Sequence, residues 1–442
     1  MGARQHPWED IVKSQRRVTI MHARPRWSCH KGGRRMSNHS ASKTGSSIRR
    51  IAGPGLAGVL ALAAGVYCIK IWVAKPQPAG IAPNIVLPDK PVAVPIDISS
   101  GCPVVQVLIN GRGPYRFLLD TGSSGTHVSH TLAQALDLPP TGSEGTFRNA
   151  VGKEIEYTGV LIESIQLGEA TFLRREVLRR SFQREQADGK LEEGILGYNL
   201  LGACLVTIDF PAGQLVIQEG RLPAADGRNV LAVVKEQSPT IAIAFGDKRV
   251  DTLVDSGSGS SFILPADIAG QLTPMRPPVK TWSKVAGEEQ VHTFQVVRMK
   301  EPVRIGDHVI AEPIVYSHAD VPAVVGVNVL RHFAVTFDAA NRRVRFSRQG
   351  REPIRVRGSR TIGLTFGVRN GVATIDGIDP QGPAGGLGVR VGDRVLIAAG
   401  RPFEELDDRA FKDLFQTRDA IDLELERDGE RFTINVPVTE LP

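Results

Sequence analysis

The sequence predicts a mainly β protein built as two related halves, with a membrane-crossing helix ahead of them and a small third unit behind. The halves rest on a motif and on its spacing. An apolar strand ending in Asp, a small hydroxyl residue and Gly occurs twice, as Phe117-Leu118-Leu119-Asp120-Thr121-Gly122-Ser123 and Thr252-Leu253-Val254-Asp255-Ser256-Gly257-Ser258. Asp120 and Asp255 stand 135 positions apart, and the same step carries Thr146 to Gly152 onto Thr281 to Gly287. Further on, Gly194-Ile195-Leu196-Gly197 answers Ala323-Val324-Val325-Gly326, and Val206-Thr207-Ile208-Asp209 answers Val335-Thr336-Phe337-Asp338, both at a step of 129. The shorter step places six additional residues in the first half, in the charged stretch Arg174 to Glu193. One Asp-hydroxyl-Gly is ordinary turn chemistry. Three separated elements recurring in order are an internal duplication.

Taken in order, residues 1–50 hold twelve Lys or Arg against Glu9 and Asp10, so the +7 net charge of the whole chain sits in this segment. It reads as a basic, unstructured stretch. The remainder carries a slight negative excess, which argues against nucleic acid as a partner. From Ile51 to Ile69 no charge occurs; as a helix these 19 residues reach about 28 Å, close to the hydrocarbon thickness of a bilayer. We expect a single spanning helix over 51–73, with the N-terminus cytoplasmic by the positive-inside bias and the rest periplasmic or otherwise extracytoplasmic. A cleaved leader is the alternative. Residues 74–98, with six prolines between 76 and 95, read as a linker.

The first half spans 99–222 and the second 223–350. Each opens with a hairpin: Val104–Ile109 turns at Asn110-Gly111 into Tyr115–Leu119, and Ile241–Phe245 turns at Gly246-Asp247 into Val250–Val254. A short helix follows each motif, Thr131–Leu138 and Ala266–Gln271. Hairpins centred on Gly152 and Gly287 come next, then an apolar pair with Gly, a helical turn and a closing strand. The third unit, 354–442, contains Gly363-Leu364-Thr365-Phe366, a Gly-rich stretch from Gly382, Gly392-Asp393, a helix candidate over 407–416 and two closing strands.

Two carboxylates delivered from related halves can share one site. At about 3 Å they cannot both ionise, so one proton is held between them. The ionised partner then takes a proton from water while the other protonates a scissile carbonyl oxygen. In this scheme Gly122 and Gly257 allow the tight turn, and Thr121 and Ser256 hydrogen-bond across the boundary between the halves to hold the carboxylates coplanar.

These residues resemble the aspartic peptidases of the pepsin and retropepsin superfamily over roughly 100–348. The resemblance implies a bilobal β fold, a cleft between lobes and endopeptidase activity by Asp120 and Asp255, without metal or other cofactor. Lobes this short resemble a fused retropepsin pair. Pepsins carry a flap Tyr without an obvious counterpart here, and Phe147 or Trp282 would stand in. Ser123 and Ser258 replace the Ala usual in retropepsins; a hydroxyl donating to the carboxylate would stabilise its charged form and place the optimum on the acidic side. The third unit resembles a bacterial-type PDZ domain, which implies a terminal-carboxylate loop at Gly363, Leu364, Thr365 and Phe366 and peptide addition to a sheet edge.

Other residues have plainer roles. Asp209 and Asp338 are expected to cap turns, Arg174–Glu193 to form a solvated loop, and His127 and His292 to be surface or hydrogen-bonded residues. Cys102 and Cys204 lie on the exported side, where a disulfide would persist. The functional expectation is a membrane-anchored aspartic endopeptidase acting on peptide or protein substrates, its PDZ unit recruiting or gating them. A non-catalytic or latent peptide-binding scaffold of the same fold is the rival.

Overall fold

The structure, a computed structural model, describes residues 85–99, 101–149, 153–181, 184–185, 191–201, 204–284, 291–319, 321–358, 360–369, 372–380, 382–406, 414–415 and 417–440. The expected spanning helix at 51–73 lies outside these. Among the described residues no helix is long and apolar enough to cross a membrane.

The first repeat contains β1 (Ile85–Val86), β2 (Val92–Pro95), β3 (Val104–Ile109), β4 (Arg112–Asp120), β5 (His127–Ser129), helix α1 (His130–Ala135), β6 (Pro140–Arg148), β7 (Glu154–Leu167) and β8 (Ala170–Arg180). A small hairpin of β9 (Arg184–Glu185) and β10 (Leu191–Glu192) follows, then β11 (Gly194–Gly197), β12 (Leu205–Asp209) and β13 (Gln214–Gln218). Alternation explains the strands. In β3, Val105, Val107 and Ile109 are buried while Gln106 is exposed, and Asn110 and Gly111 turn the chain at φ 52° and 73°. β11 slots between β4 and β5, parallel to β4 with Gly197 opposite Asp120.

The second repeat runs β14 (Val230–Lys235), β15 (Ser238–Phe245), β16 (Lys248–Val254), β17 (Phe262–Pro265), α2 (Ala266–Ala269), β18 (Val279–Lys284), β19 (Val291–Arg298), β20 (Val303–Ile305), β21 (His308–Ala311), β22 (Ile314–His318), β23 (Val324–Val325), α3 (Val327–Leu330), β24 (Ala334–Asp338) and β25 (Arg343–Ser347). Here β23 lies parallel to β16 as β11 does to β4. The 14-residue β7 of the first repeat pairs with β6, β3 and β8. Its counterpart is split into β19 and β20, which divide the same pairings.

The repeats join through one ladder, ordered β14-β25-β24-β12-β13-β2. At its centre β12 and β24 run antiparallel with Thr207 opposite Thr336, their hydroxyl oxygens 2.9 Å apart. One continuous apolar core, from Val92 to Val356, lies beneath both repeats.

Three expectations are corrected. Residues 85–98 are not a plain linker: β1 pairs with β8 and β2 completes the joining ladder, because Val92, Val94 and Ile96 alternate inward. The charged stretch is strand through Arg180: β8 buries Phe172, Val177 and Arg180, half-buries Arg175, Glu176 and Arg179, and exposes Arg174. The third unit starts later than residue 354. Ile354 and Val356 belong to the second repeat's core, where β26 (Ile354–Arg355) pairs with β21 and the Arg298 guanidinium donates to the Val356 carbonyl at 3.2 Å.

The third unit has a separate core that begins at Ile362. It comprises β27 (Arg360–Thr361), β28 (Leu364–Arg369), β29 (Val372–Ile378), β30 (Arg394–Ala398), β31 (Arg401–Pro402), β32 (Ala420–Arg427), β33 (Glu430–Pro437) and β34 (Thr439–Glu440). Its main sheet is ordered β28-β29-β30-β32-β33, with β28 at an edge. Most of the expected helix over 407–416 lies outside the described residues; Leu414, within it, is buried.

Candidate active site

β4 ends at Asp120 and β16 ends at Val254, immediately before Asp255, and the two turns that follow are hydrogen-bonded to each other. The contact is a closed ring of hydrogen bonds. The Thr121 N–H donates to Ser256 Oγ at 3.0 Å, and Ser256 Oγ donates to the Leu119 carbonyl at 2.6 Å. In mirror fashion, the Ser256 N–H donates to Thr121 Oγ1 at 3.0 Å and Thr121 Oγ1 to the Val254 carbonyl at 2.7 Å. Both hydroxyls are buried and each makes one donated and one accepted bond, so the ring is fully satisfied.

Gly122 and Gly257 are required by close approach. A Cβ on Gly122 would fall on the Asp255 carboxyl, and one on Gly257 on the Asp120 carboxyl. The Ser123 N–H donates to Asp120 Oδ1 at 3.0 Å and the Gly257 N–H to Asp255 Oδ1 at 2.8 Å. The serine hydroxyls behave differently from expectation. Ser123 Oγ donates to the Gly125 carbonyl at 2.8 Å, and Ser258 Oγ pairs with Ser260 Oγ at 2.8 Å, so backbone N–H groups hold the carboxylates instead.

Each Asp keeps some exposed surface, yet the carboxyls themselves are packed deep and hydrogen-bond each other. Burial pushes both above the ordinary carboxylate range. For Asp255 the charge of Asp120 adds to the rise and carries it further. Asp120 is drawn back by the Ser123 and Gly122 N–H groups, by Asp255 and by the nearby Arg180 cation. The pair therefore favours one negative charge and one proton over two charges.

The turns are supported from below by residues that motif reading passed over. Thr126 Oγ1 accepts from the Gly197 N–H at 3.2 Å and donates to Asn199 Oδ1 at 2.8 Å. At the equivalent place Asn328 Nδ2 donates to Ser261 Oγ at 3.3 Å. The signal was present, for Thr126 and Ser261 keep the step of 135 and Asn199 and Asn328 the step of 129.

Of the hairpin residues, Phe147 is half-buried and its ring centre lies 5.3 Å from that of His127 and 6.4 Å from that of Tyr157. Tyr157 pairs with Gly145 across the hairpin. The backbone of Trp282 pairs with Thr293 in the second hairpin, while Gly152 and Gly287 lie outside the described residues. His127 is not a surface residue. It is 3 % exposed, its Nε2 stands 3.2 Å from Ser123 Oγ, and its Nδ1 has no hydrogen-bond partner.

Cys102 and Cys204 are both buried and are not joined in a disulfide; the Cys102 thiol donates to the Gly257 carbonyl at 3.3 Å. Asp209 caps its turn through the Ala212 N–H at 3.0 Å, and Asp338 accepts from the Leu222 N–H at 2.8 Å. In the third unit Gly363 takes φ 76°, its carbonyl accepting from the Asp379 N–H at 2.8 Å, and Leu364 to Phe366 open the edge strand β28. Among the described residues no cluster of His, Cys, Asp and Glu is placed to hold a metal ion.

Residues 105–200, which contain the first motif, match the family described as aspartyl protease. The chain is also similar in structure to the aspartic proteinase from Irpex lacteus, at 14 % identity, covering 59 % of this chain and 98 % of that one with a TM-score of 0.38. No curated protein matches it.

Proposed function

We propose that the chain is an aspartic endopeptidase in which Asp120 and Asp255 together activate water. One observation carries this: two carboxyls from separate, repeated turns are packed against each other's glycine and share a hydrogen bond, in a chain whose first turn lies within an aspartyl protease match. A peptide carbonyl set above the pair is attacked by the water oxygen as one carboxylate takes a water proton. The other carboxyl gives its proton to the carbonyl oxygen, forming a neutral tetrahedral diol with no covalent enzyme intermediate. Collapse of the diol then breaks the C–N bond as the amine leaves protonated. Burial raises both carboxyls, so the window in which the pair holds one proton moves upward from the ordinary carboxylate range.

The remaining parts fit a recruiting architecture. Residues 51–73 anchor the chain in a membrane with the described domains on the far side from the basic N-terminus. The third unit is a PDZ-type module, and its edge strand β28 receives a peptide as an added strand.

The test is incubation of the full chain in detergent micelles with an unfolded protein between about pH 3 and 8, with products read by mass spectrometry. Fragments are expected from the wild type, with a fall of at least about a thousandfold in Asp120→Asn and Asp255→Asn. A folded wild type silent at every pH rejects the reading and leaves the peptide-binding scaffold.

A further inference from the structure

The serine that follows each Asp turn is held differently in the two repeats, and one small residue sets the difference. Ser123 and Ser258 correspond at the step of 135, as do Gly125 and Ser260. In the second repeat Ser258 Oγ finds the Ser260 hydroxyl at 2.8 Å. Gly125 has no hydroxyl to offer, and Ser123 Oγ stands 2.8 Å from the Gly125 carbonyl and 3.2 Å from His127 Nε2. β17, the strand that answers β5, reads Phe262-Ile263-Leu264-Pro265 and carries no side-chain donor.

One arrangement of hydrogens makes both Ser123 contacts hydrogen bonds. A hydroxyl has a single hydrogen to donate, and a carbonyl can only accept it. With that hydrogen on the Gly125 carbonyl, Ser123 Oγ accepts from His127. This assigns the imidazole hydrogen to Nε2 and leaves bare the nitrogen that has no partner, Nδ1. The donor is firmly mounted, since His127 lies between two neighbouring strands, opposite Ile195 of β11 and Leu178 of β8. It is buried, with the Phe147 ring of the β6 hairpin packed against it, so water does not compete for the Nε2 hydrogen.

Ser123 in turn sets the carboxylate. Its N–H donates to Asp120 Oδ1 at 3.0 Å, and its carbonyl accepts from the Tyr198 N–H at 2.7 Å. At Asp255 the 2.8 Å bond to Oδ1 comes from the Gly257 N–H, one residue nearer. The orientation of Ser123 therefore bears directly on where the Asp120 carboxylate points.

We propose that His127 is a positioning residue for the Asp120 turn: its Nε2–H fixes the Ser123 hydroxyl, and so the N–H that holds the carboxylate, the part that the Ser260 hydroxyl plays for Ser258. The inference rests on the peptidase reading and deepens it. No proton leaves the imidazole during hydrolysis. The ring acts through geometry alone, keeping Asp120 where it meets the attacking water.

The experiment is a double-mutant cycle on the full chain in detergent micelles, with His127→Phe made in the presence and absence of Gly125→Ser. Phe keeps a ring against Phe147 and removes the donor. Position 125 has room for a serine, because a Cβ there first meets the flexible end of Leu178 at 3.2 Å, and the added hydroxyl reproduces the arrangement of the second repeat. With Gly125 intact, His127→Phe is expected to lower kcat about tenfold and to leave KM within about twofold, the effect of one lost positioning hydrogen bond. With Gly125→Ser present, the same substitution should cost little. An equal cost in both backgrounds overturns the proposal, because a histidine needed only for packing would not be replaced by a hydroxyl two residues away. So does a His127→Phe enzyme as fast as the wild type. A second measurement needs no activity. Nitrogen NMR of the chain labelled at histidine, with the His127 signals identified by their loss in His127→Gln, should show a neutral ring with its hydrogen on Nε2, and a hydrogen on Nδ1 overturns the proposal. Should His127→Phe fail to fold, this tautomer decides. A wild type that cleaves nothing rejects the peptidase reading, while the tautomer still judges His127 separately.

Discussion

At the scale of single residues, His127 shows how a neutral group can be as consequential as a charged one. It is buried with one nitrogen unpartnered, and burial and Arg180 together push its pKa down to about 3. In the unfolded chain it titrates near its ordinary value of about 6.5. Because the folded value is the lower one, its contribution is complete above about pH 6.5 and is lost as the pH falls toward about 3, where the unfolded chain binds a proton that the folded chain refuses. Replacing it with Phe, the residue that the second repeat has at the step of 135 (Phe262), should remove that loss. Urea unfolding at pH 7 and pH 4.5 is expected to show the wild type losing about 2–3 kcal/mol more than His127→Phe between the two conditions. Equal losses would mean that His127 titrates in the fold as it does in water.

At the scale of elements, the two parallel insertions that bring Gly197 and Gly326 under the turns tolerate no side chain. A Cβ on Gly326 would lie 2.5 Å from the Ser260 carbonyl oxygen and 2.6 Å from that of Ser258, both backbone atoms held in the turn after Asp255. Gly326→Ala should therefore cost about 2 kcal/mol or more and depress turnover, because the Asp255 turn must shift. Gly386→Ala, where a Cβ meets nothing within 4 Å, serves as the comparison and should leave thermal unfolding nearly unchanged. These elements were legible in the sequence because duplication repeats them. The Asp turns, the opening hairpins, the Gly197 and Gly326 strands and the cross-bonding Thr121 and Ser256 all announce themselves at fixed steps. What was illegible is whatever breaks the repeat. Arg180 sits among Arg174, Arg175 and Arg179, and of these four only it is buried, which alternation along β8 does not announce. His127 was expected at the surface or in a hydrogen bond; that it is buried could not be read, since its packing involves Phe147, twenty positions away and on another strand.

At the scale of the whole molecule, the strap from Ile354 to Val356 ties the third unit to the second repeat. Both residues are buried there, and the Arg355 guanidinium pairs with Glu312 at 2.8 Å. The separate core begins at Ile362, and between the two the chain exposes Arg357. Limited trypsin digestion should thus cut first after Arg357 or Arg360 and release a C-terminal fragment, leaving the strap on the repeats. Intact-mass analysis of the first fragments checks this; initial cuts before Ile354 would place the strap with the third unit. The ladder that joins the repeats has a different sort of consequence. In an assembly of two identical subunits every inherited change appears twice, once on either side of the axis. Here the axis passes between Thr207 and Thr336 of a single polypeptide. A mutation in one half is therefore expressed once, and selection can act on left and right independently. The buried His127, answered by Phe262 at the step of 135, is a difference that no pair of identical copies could inherit.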